Sequence, residues 1–571
     1  MTDSDTLLTL LNQIYGSETA RPLWDELRAR LGKARLAYPL RKTAPLTNMD
    51  AMLISYGDQV TAPGYVPLES LADFCDRHLD GLVSCLHILP FYPSSSDDGF
   101  AVKDYRQVDP ALGGWEEIAR LGEHRRLMFD AVINHASARG AWFRAFLRDE
   151  PPYNEYFISV SGSPDLSQVV RPRALPLLTR FGDQDVWTTF SADQVDLNFA
   201  NPRVLLEIID LLLFYAAKGA EFIRLDAIAY LWKEPGTSCI HHPNTHRIIQ
   251  LFRAALDEAA PHVRLITETN VPHLDNIAYF GDGSNEAQLV YNFALPPLVL
   301  HTLQSADASA LSRWAAGLRL PSEKVTFFNF LASHDGIGLN PLRGILPESE
   351  IIALVQRTLQ HGGRVNYKHN PDGSQSPYEL NINYFDALSD PQGDEPLETQ
   401  VGRFMAAQAI LLSLVGLPGL YFHSLFGSRG WQAGPELTGM NRSINRQKLT
   451  RAELEKQLST PGSLRAEVFR RYAALLRARA SCEAFDPFGT QTVLDCSKPV
   501  FALLRQGYGV RALCLQNVSS EHQSVAFDLR SLPGDTPNRS AIHDLLTGAH
   551  LPASPRLEFA PYQSLWLALE D

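Results

Sequence analysis

Asp226, Glu268 and Asp335 each close a short, largely apolar run. The runs read Phe222-Ile223-Arg224-Leu225-Asp226, Leu265-Ile266-Thr267-Glu268 and Phe330-Leu331-Ala332-Ser333-His334-Asp335. Short apolar runs bounded by polar residues predict buried strands of a parallel sheet. In a closed barrel of alternating strands and helices, side chains at the C-terminal strand ends face the catalytic mouth. Three carboxylates delivered there suit chemistry on a bond between sugars. One acts as nucleophile and one as acid/base, about 5 Å apart if the anomeric configuration is retained. Arg224 stands two residues before Asp226 and so shares its side of the strand. Ion pairing from there would keep Asp226 ionised.

The elements that must carry these acids recur along the chain. Residues 52–56, 83–89, 127–133, 289–293 and 417–422 are further strand-like runs, making eight with the three that end in acids. Helix-like segments such as 205–217 lie between them. Alternation of this kind predicts an α/β fold, a (β/α)8 TIM-type barrel spanning residues 51–135, 202–342 and 401–480. Residues 1–50 read as a helical N-terminal segment. Residues 136–201 and 343–400 are too long for simple loops and read as two insertions at the catalytic face. Beyond residue 480 the pattern changes to short strands and turns, such as 500–505, 511–516 and 564–569. These predict a C-terminal antiparallel β domain over 481–571.

A chain of 571 residues exceeds one core. Its 45% hydrophobic and 20% charged composition is that of a globular protein, and its net charge of −13 argues against a nucleic-acid footprint. It has no run of about eighteen apolar residues, which predicts no membrane span. The acidic Met-Thr-Asp-Ser-Asp start lacks the basic, then apolar pattern of a signal peptide. Six scattered cysteines, with no Cys-x-x-Cys pair, read as reduced thiols. The expectation is a cytoplasmic enzyme, monomer or homodimer, that acts on a small molecule.

Asp130-Ala131-Val132-Ile133-Asn134-His135, Arg224-Leu225-Asp226, Glu268 and His334-Asp335 occur in the order typical of the α-amylase superfamily of retaining enzymes, which the chain resembles from about residue 50 onward. Ile88-Leu89-Pro90-Phe91, Asp98-Gly99-Phe100, Arg171-Pro172-Arg173, the run from Lys233 to Cys239, Phe293-Ala294-Leu295-Pro296 and His334–Gly338 look like its sucrose phosphorylase group. Residues 171–179, 267–273, 329–350 and 376–381 most resemble bacterial glucosylglycerate phosphorylases.

This resemblance implies a glucosyl phosphorylase with Asp226 as nucleophile, Glu268 as acid/base and Asp335 as transition-state stabiliser. It also implies that Asp97, His135, His334 and Arg224 surround the glucosyl unit, with Phe100 and Tyr105 offering aromatic surface. Arg173 and Arg442 match positions assigned to phosphate; the alternative is that they are structural ion-pair partners. Arg364 and Lys368 are further candidate cations. Inorganic phosphate would be the co-substrate, with no cofactor and no metal.

Two positions depart from sucrose phosphorylases. Asn270 stands where those enzymes typically carry His, and Tyr378 is followed by Glu379 where they carry Gln. Both lie on the acceptor side, so the resemblance favours glycerate over fructose there, with Glu379 facing hydroxyls because an ionised carboxylate cannot donate. Sucrose or glucosylglycerol phosphorolysis, hydrolysis through the same ester, and a non-catalytic amylase-like binding subunit are the alternatives. His241, His242 and His246 lack a Cys or carboxylate at ligand spacing and read as a helix start rather than a metal site.

Overall fold

The computed structural model describes residues 3–37, 44–173, 175–370, 373–526, 541–552 and 556–569. Eight strands close into a parallel barrel. They are β1 (Met52–Ser55), β2 (Cys85–Ile88), β3 (Arg126–Ala131), β4 (Ala220–Leu225), β5 (Arg264–Thr267), β6 (Leu289–Tyr291), β7 (Thr326–Phe330) and β8 (Leu417–Tyr421). Each pairs with its neighbours in chain order, and β8 returns to β1. Helices cover the barrel's outside, so the strands are buried on both faces and read as nearly continuous apolar runs.

Register sets the chemistry. Leu225 at the end of β4 pairs with Thr267 at the end of β5. The next residues are Asp226 and Glu268, so the two carboxylates emerge side by side. The Asp226 N–H donates to Ala131 O and the Glu268 N–H to Leu225 O, each at 3.2 Å, which extends the ladder one step past both strands. The helix Pro202–Ala217 that delivers β4 starts cleanly: Asn201 caps it by accepting from the Arg203 N–H at 2.9 Å, and Pro202 fills the first turn.

Asp335 is positioned differently from the expectation. β7 ends at Phe330, five residues earlier than the apolar run suggested. Leu331 to Asp335 form a loop that leads into Ile337–Gly338, which pairs antiparallel with the strand Gln375–Asn381. Apolar content continued past the hydrogen-bonded ladder because the loop itself is buried.

The second insertion region contains the helix Glu348–Gln360 and the hairpin Arg364–His369/Gln375–Asn381, which brings Tyr378 and Glu379 to the barrel mouth. Within the first, a small sheet of Ser159–Val160, Gln184–Trp187 and Leu178–Phe181 forms, and Gln194–Asp196 pairs with His135–Ser137. The helices Asp3–Tyr15 and Ser17–Ala37 pack against helix Pro243–Ala259. Residues 38–43 lie outside the described part.

A six-stranded antiparallel sheet built from Thr490–Val493, Val500–Gly507, Val510–Asn517, Ser564–Leu569, Ala541–Asp544 and His550–Pro552 closes the chain. Two buried arginines join it to the barrel through carbonyls. Arg505 donates to Ser413 O, Asp486 O and Thr490 O. Arg479 donates to Asn48 O, Asp50 O, Gly416 O and Phe485 O.

Candidate active site

Arg224 is the hub of the site. It is 2% exposed, and its Nη1 contacts both Asp130 and, at 2.9 Å, Asp226 Oδ1. Its Nη2 lies 3.9 Å from Glu268 Oε1. Behind it, His87 Nε2 meets the other oxygen of Asp130 at 2.7 Å. Phe100 and Tyr291 present ring faces to the guanidinium at 5.9 and 5.3 Å. Glu268 is anchored by the Ala227 N–H, which donates to its Oε2 at 2.9 Å.

Burial pushes both Asp226 and Glu268 above the ordinary carboxylate range, and neighbouring negative charge adds to it. Arg224 touches Asp226 directly but stands off from Glu268, so this cation opposes the rise more closely at Asp226 than at Glu268. Asp335 behaves oppositely. Burial alone would raise it, but Arg442, His334 and Arg446 hold it far below the usual range. Asp97 is likewise held down by Arg173, Arg446 and Arg442 against its burial.

These groups line a cleft of about 770 Å³. Its wall includes Asp97, Phe100, His135, Arg173, Asp226, Glu268, Asn270, His334, Asp335, Tyr378, Glu379 and Arg442. Every candidate residue named for the catalytic and sugar-binding roles except Tyr105 is thus brought together, with Arg224 directly beneath. Phe100 stacks flat on His334, centroids 4.9 Å apart at 3°. Burial lowers His334 to about 3, so its ring is neutral. His135 is also lowered by burial, and its Nε2 sits 2.9 Å from Phe100 O, which requires the proton on that nitrogen. Asp97, Asp98 and Gly99 run through positive φ (53°, 47°, 111°), and a Cβ on Gly99 would meet Pro90 O at 2.5 Å. Consecutive left-handed residues of this kind are found where a site constrains the chain.

Three expectations fail. Tyr105 offers no ring to the cleft; its hydroxyl donates to His135 O at 2.8 Å and its ring packs on Trp142. Arg364 lies 4.0 Å from Glu436, away from the cleft wall, and Lys368 is outside it as well. Charge is the one feature that marks both in the sequence, and the hairpin turns them away while presenting Tyr378 and Glu379. The histidines do mark a helix start, as read: His242 caps the helix Pro243–Ala259 and His246 lies within it, paired with Glu286, while His241 bonds Tyr279.

The ion-pair alternative for the two candidate arginines also describes what is seen. Arg173 lies 3.4 Å from Asp97 and 5.8 Å over Phe190. Arg442 bonds Asp335 and Glu379 together.

The sequence reading missed Arg446, which donates to His334 O at 2.9 Å and to Asp97, Asp98 and Asp335. It stands four residues after Arg442 in the same run, and that spacing was its only signal. Phe190, Gln194 and Tyr230 also line the cleft without any motif to mark them, as does Phe293, which opens a motif that assigned it no role. His87 had none either, though Asp130 opens the run ending in His135.

The model of the α-amylase catalytic domain matches residues 80–335. A glucosylglycerate phosphorylase of Spirochaeta thermophila is 49% identical, with 99% of this chain and 98% of that protein covered. One from Escherichia coli K12 is 45% identical over 98% of each chain. A sucrose phosphorylase of Agrobacterium vitis is 29% identical over 76% of this chain and 88% of its own. In fold, the crystal structure of sucrose 6F-phosphate phosphorylase from Thermoanaerobacter thermosaccharolyticum superposes with a TM-score of 0.73, at 24% identity over 85% of this chain and 96% of that one. The chain belongs to the α-amylase family and, within it, to the group that contains the glucosylglycerate phosphorylases.

Proposed function

We propose that the protein is a retaining glucosyl phosphorylase. It converts 2-O-α-glucosyl-glycerate and phosphate into α-glucose 1-phosphate and glycerate. The observation that carries this reading is the sharing of Arg224 between Asp226, in direct contact, and Glu268, 3.9 Å away, at adjoining strand ends. The acceptor comes from the relatives, whose names specify glucosylglycerate.

Asp226 Oδ1 is engaged by Arg224, so Oδ2 is the oxygen free to attack the anomeric carbon. The glycosidic bond breaks as the leaving oxygen of glycerate takes the proton of Glu268, and a covalent glucosyl ester forms on Asp226. A phosphate oxygen then attacks the anomeric carbon from the opposite side, Glu268 accepts the phosphate proton, and the ester bond breaks. Two inversions give net retention. Asp335, ionised and turned toward His334 through Oδ2 at 3.5 Å, accepts hydrogen bonds from sugar hydroxyls. His135, His334, Phe100 and Asp97 enclose the same glucosyl unit.

The two insertions, 136–201 and 343–400, form the acceptor side in this reading. Asn270 Oδ1 is buried without a partner among the described residues, and it suits a hydroxyl of the acceptor. Arg173, whose only ion-pair contact among the described residues is 3.4 Å long and whose side chain is 32% exposed, has N–H groups left for phosphate or for the glycerate carboxylate.

The test is release of α-glucose 1-phosphate, with phosphate present, from glucosylglycerate, sucrose and glucosylglycerol in parallel. Preference for glucosylglycerate is expected. Preference for either neutral-acceptor substrate refutes the acceptor assignment, and phosphate-independent release of glucose alone refutes the phosphorylase.

A further inference from the structure

The feature that the mechanism leaves unused is Glu379. It is 1% exposed, yet it lines the cleft at the foot of Arg442. Its Oε2 accepts from Arg442 Nε at 3.1 Å and its Oε1 from Arg442 Nη2 at 2.8 Å. This is the paired N–H edge through which a guanidinium binds a phosphate or a carboxylate. The remaining nitrogen, Nη1, is taken by Asp335. Each nitrogen of the cation expected to meet phosphate is thus already engaged by one of the protein's own anions.

Glu379 also has a second set of donors. The Gly336 N–H reaches its Oε1 at 3.2 Å and Asn366 Nδ2 its Oε2 at 3.0 Å. Each carboxylate oxygen therefore carries one bond from Arg442 and one from elsewhere. If Arg442 turns toward a ligand, neither oxygen is left bare, which removes the usual penalty for stranding a buried acceptor. The second set is built closely. A Cβ on Gly336 would meet Glu379 Cγ at 2.6 Å and Leu380 O at 2.5 Å, so this backbone approach needs glycine. Asn441 Nδ2 in turn holds Asn366 Oδ1 at 2.7 Å, beside Arg442 in the chain.

We propose that Glu379 is a built-in competing anion: its carboxylate occupies the paired edge of Arg442 in the empty cleft, and phosphate or an acidic acceptor binds by taking that edge from it. This rests on the phosphorylase reading above and adds a determinant of anion affinity to it. The consequence is deliberate weakness. Each anionic ligand gains the Arg442 contacts only by replacing an equivalent pair, so the phosphate ester formed in the cleft leaves more readily than it would from an unopposed arginine.

Glu379→Gln removes the charge while keeping the shape and one acceptor oxygen. Loss of a competing charge-assisted pair should lower the KM for phosphate by about ten-fold, with kcat lowered or unchanged rather than raised. The inhibition constant for inorganic sulfate, which cannot react, should fall in parallel. A purely structural Glu379 would raise both constants or leave them alone, and either result in a variant that melts like the wild type overturns the proposal. If Glu379→Gln does not fold, Glu379→Asp draws the charge back by one methylene and should move both constants in the same direction; unmoved constants there overturn it equally. If the wild type makes no α-glucose 1-phosphate, the phosphorylase reading fails by itself. Sulfate-dependent thermal stabilisation of wild type against variant then still decides whether Glu379 competes.

Discussion

Arg224→Met removes the cation on which the site is assembled. In the wild type this guanidinium touches Asp130 and Asp226 and faces Glu268, while only 2% exposed. At an effective dielectric constant of about 20, a charge pair about 4 Å apart is worth about 4 kcal/mol. Asp130 keeps His87 after the change, but Asp226 keeps no cation in direct contact among the described residues. Breaking a buried pair in this way costs about 3–5 kcal/mol.

The pH dependence identifies the cause. Without Arg224, the folded-state pKa of Asp226 rises still further above its unfolded value. The folded state then accepts Asp226 without penalty only where it is protonated, below the unfolded pKa of about 4. That advantage is lost as pH rises through the folded pKa. The stability deficit of the variant should therefore be larger at about pH 8 than at about pH 5. Guanidinium unfolding followed by tryptophan fluorescence, wild type against variant at both pH values, measures it. A variant as stable as the wild type at the higher pH, or a deficit that ignores pH, would refute the placing of Arg224 as the electrostatic hub.

Glu268→Gln should reduce phosphorolysis of glucosylglycerate by about 10²–10⁴-fold, yet retain far more activity on α-glucosyl fluoride, whose leaving group needs no proton; equal losses on both donors would remove Glu268 from the acid role. Because burial raises Glu268, the basic limb of kcat/KM should lie above the ordinary carboxylate range, with activity lost as pH rises and Glu268 gives up its proton. In Glu268→Gln, assayed with the fluoride, that limb should disappear. Arg505→Met should loosen the C-terminal sheet by removing a donor from three carbonyls, of Ser413, Asp486 and Thr490, of which Asp486 O keeps the Gly489 N–H. Each unpaired buried acceptor costs about 1–3 kcal/mol, so early exposure of the sheet in limited proteolysis is expected, and wild-type resistance would count against it.

The barrel was legible because parallel strands buried on both faces must be written as apolar runs, and those runs stop where the chain meets the mouth. Asp226 and Glu268 could be placed from the sequence for the same reason: each follows its strand by a single residue. Asp335 was identified by type and motif but not by position, since the apolar run continues through Leu331 and Ala332 into its loop. What the one-dimensional pattern could not carry is mutual satisfaction of charge. Arg442 and Glu379 are 63 residues apart and Arg446 and Asp97 are 349 apart, and no local rule couples them. The acids and the barrel under them were determined by the sequence through local periodicity and order. Tertiary structure alone decided which arginine each acid answers to, that Tyr105, Arg364 and Lys368 turn away, and that Glu379 fills the arginine a ligand would use. Those outcomes depend on which buried charges the fold brings within a few ångströms of one another.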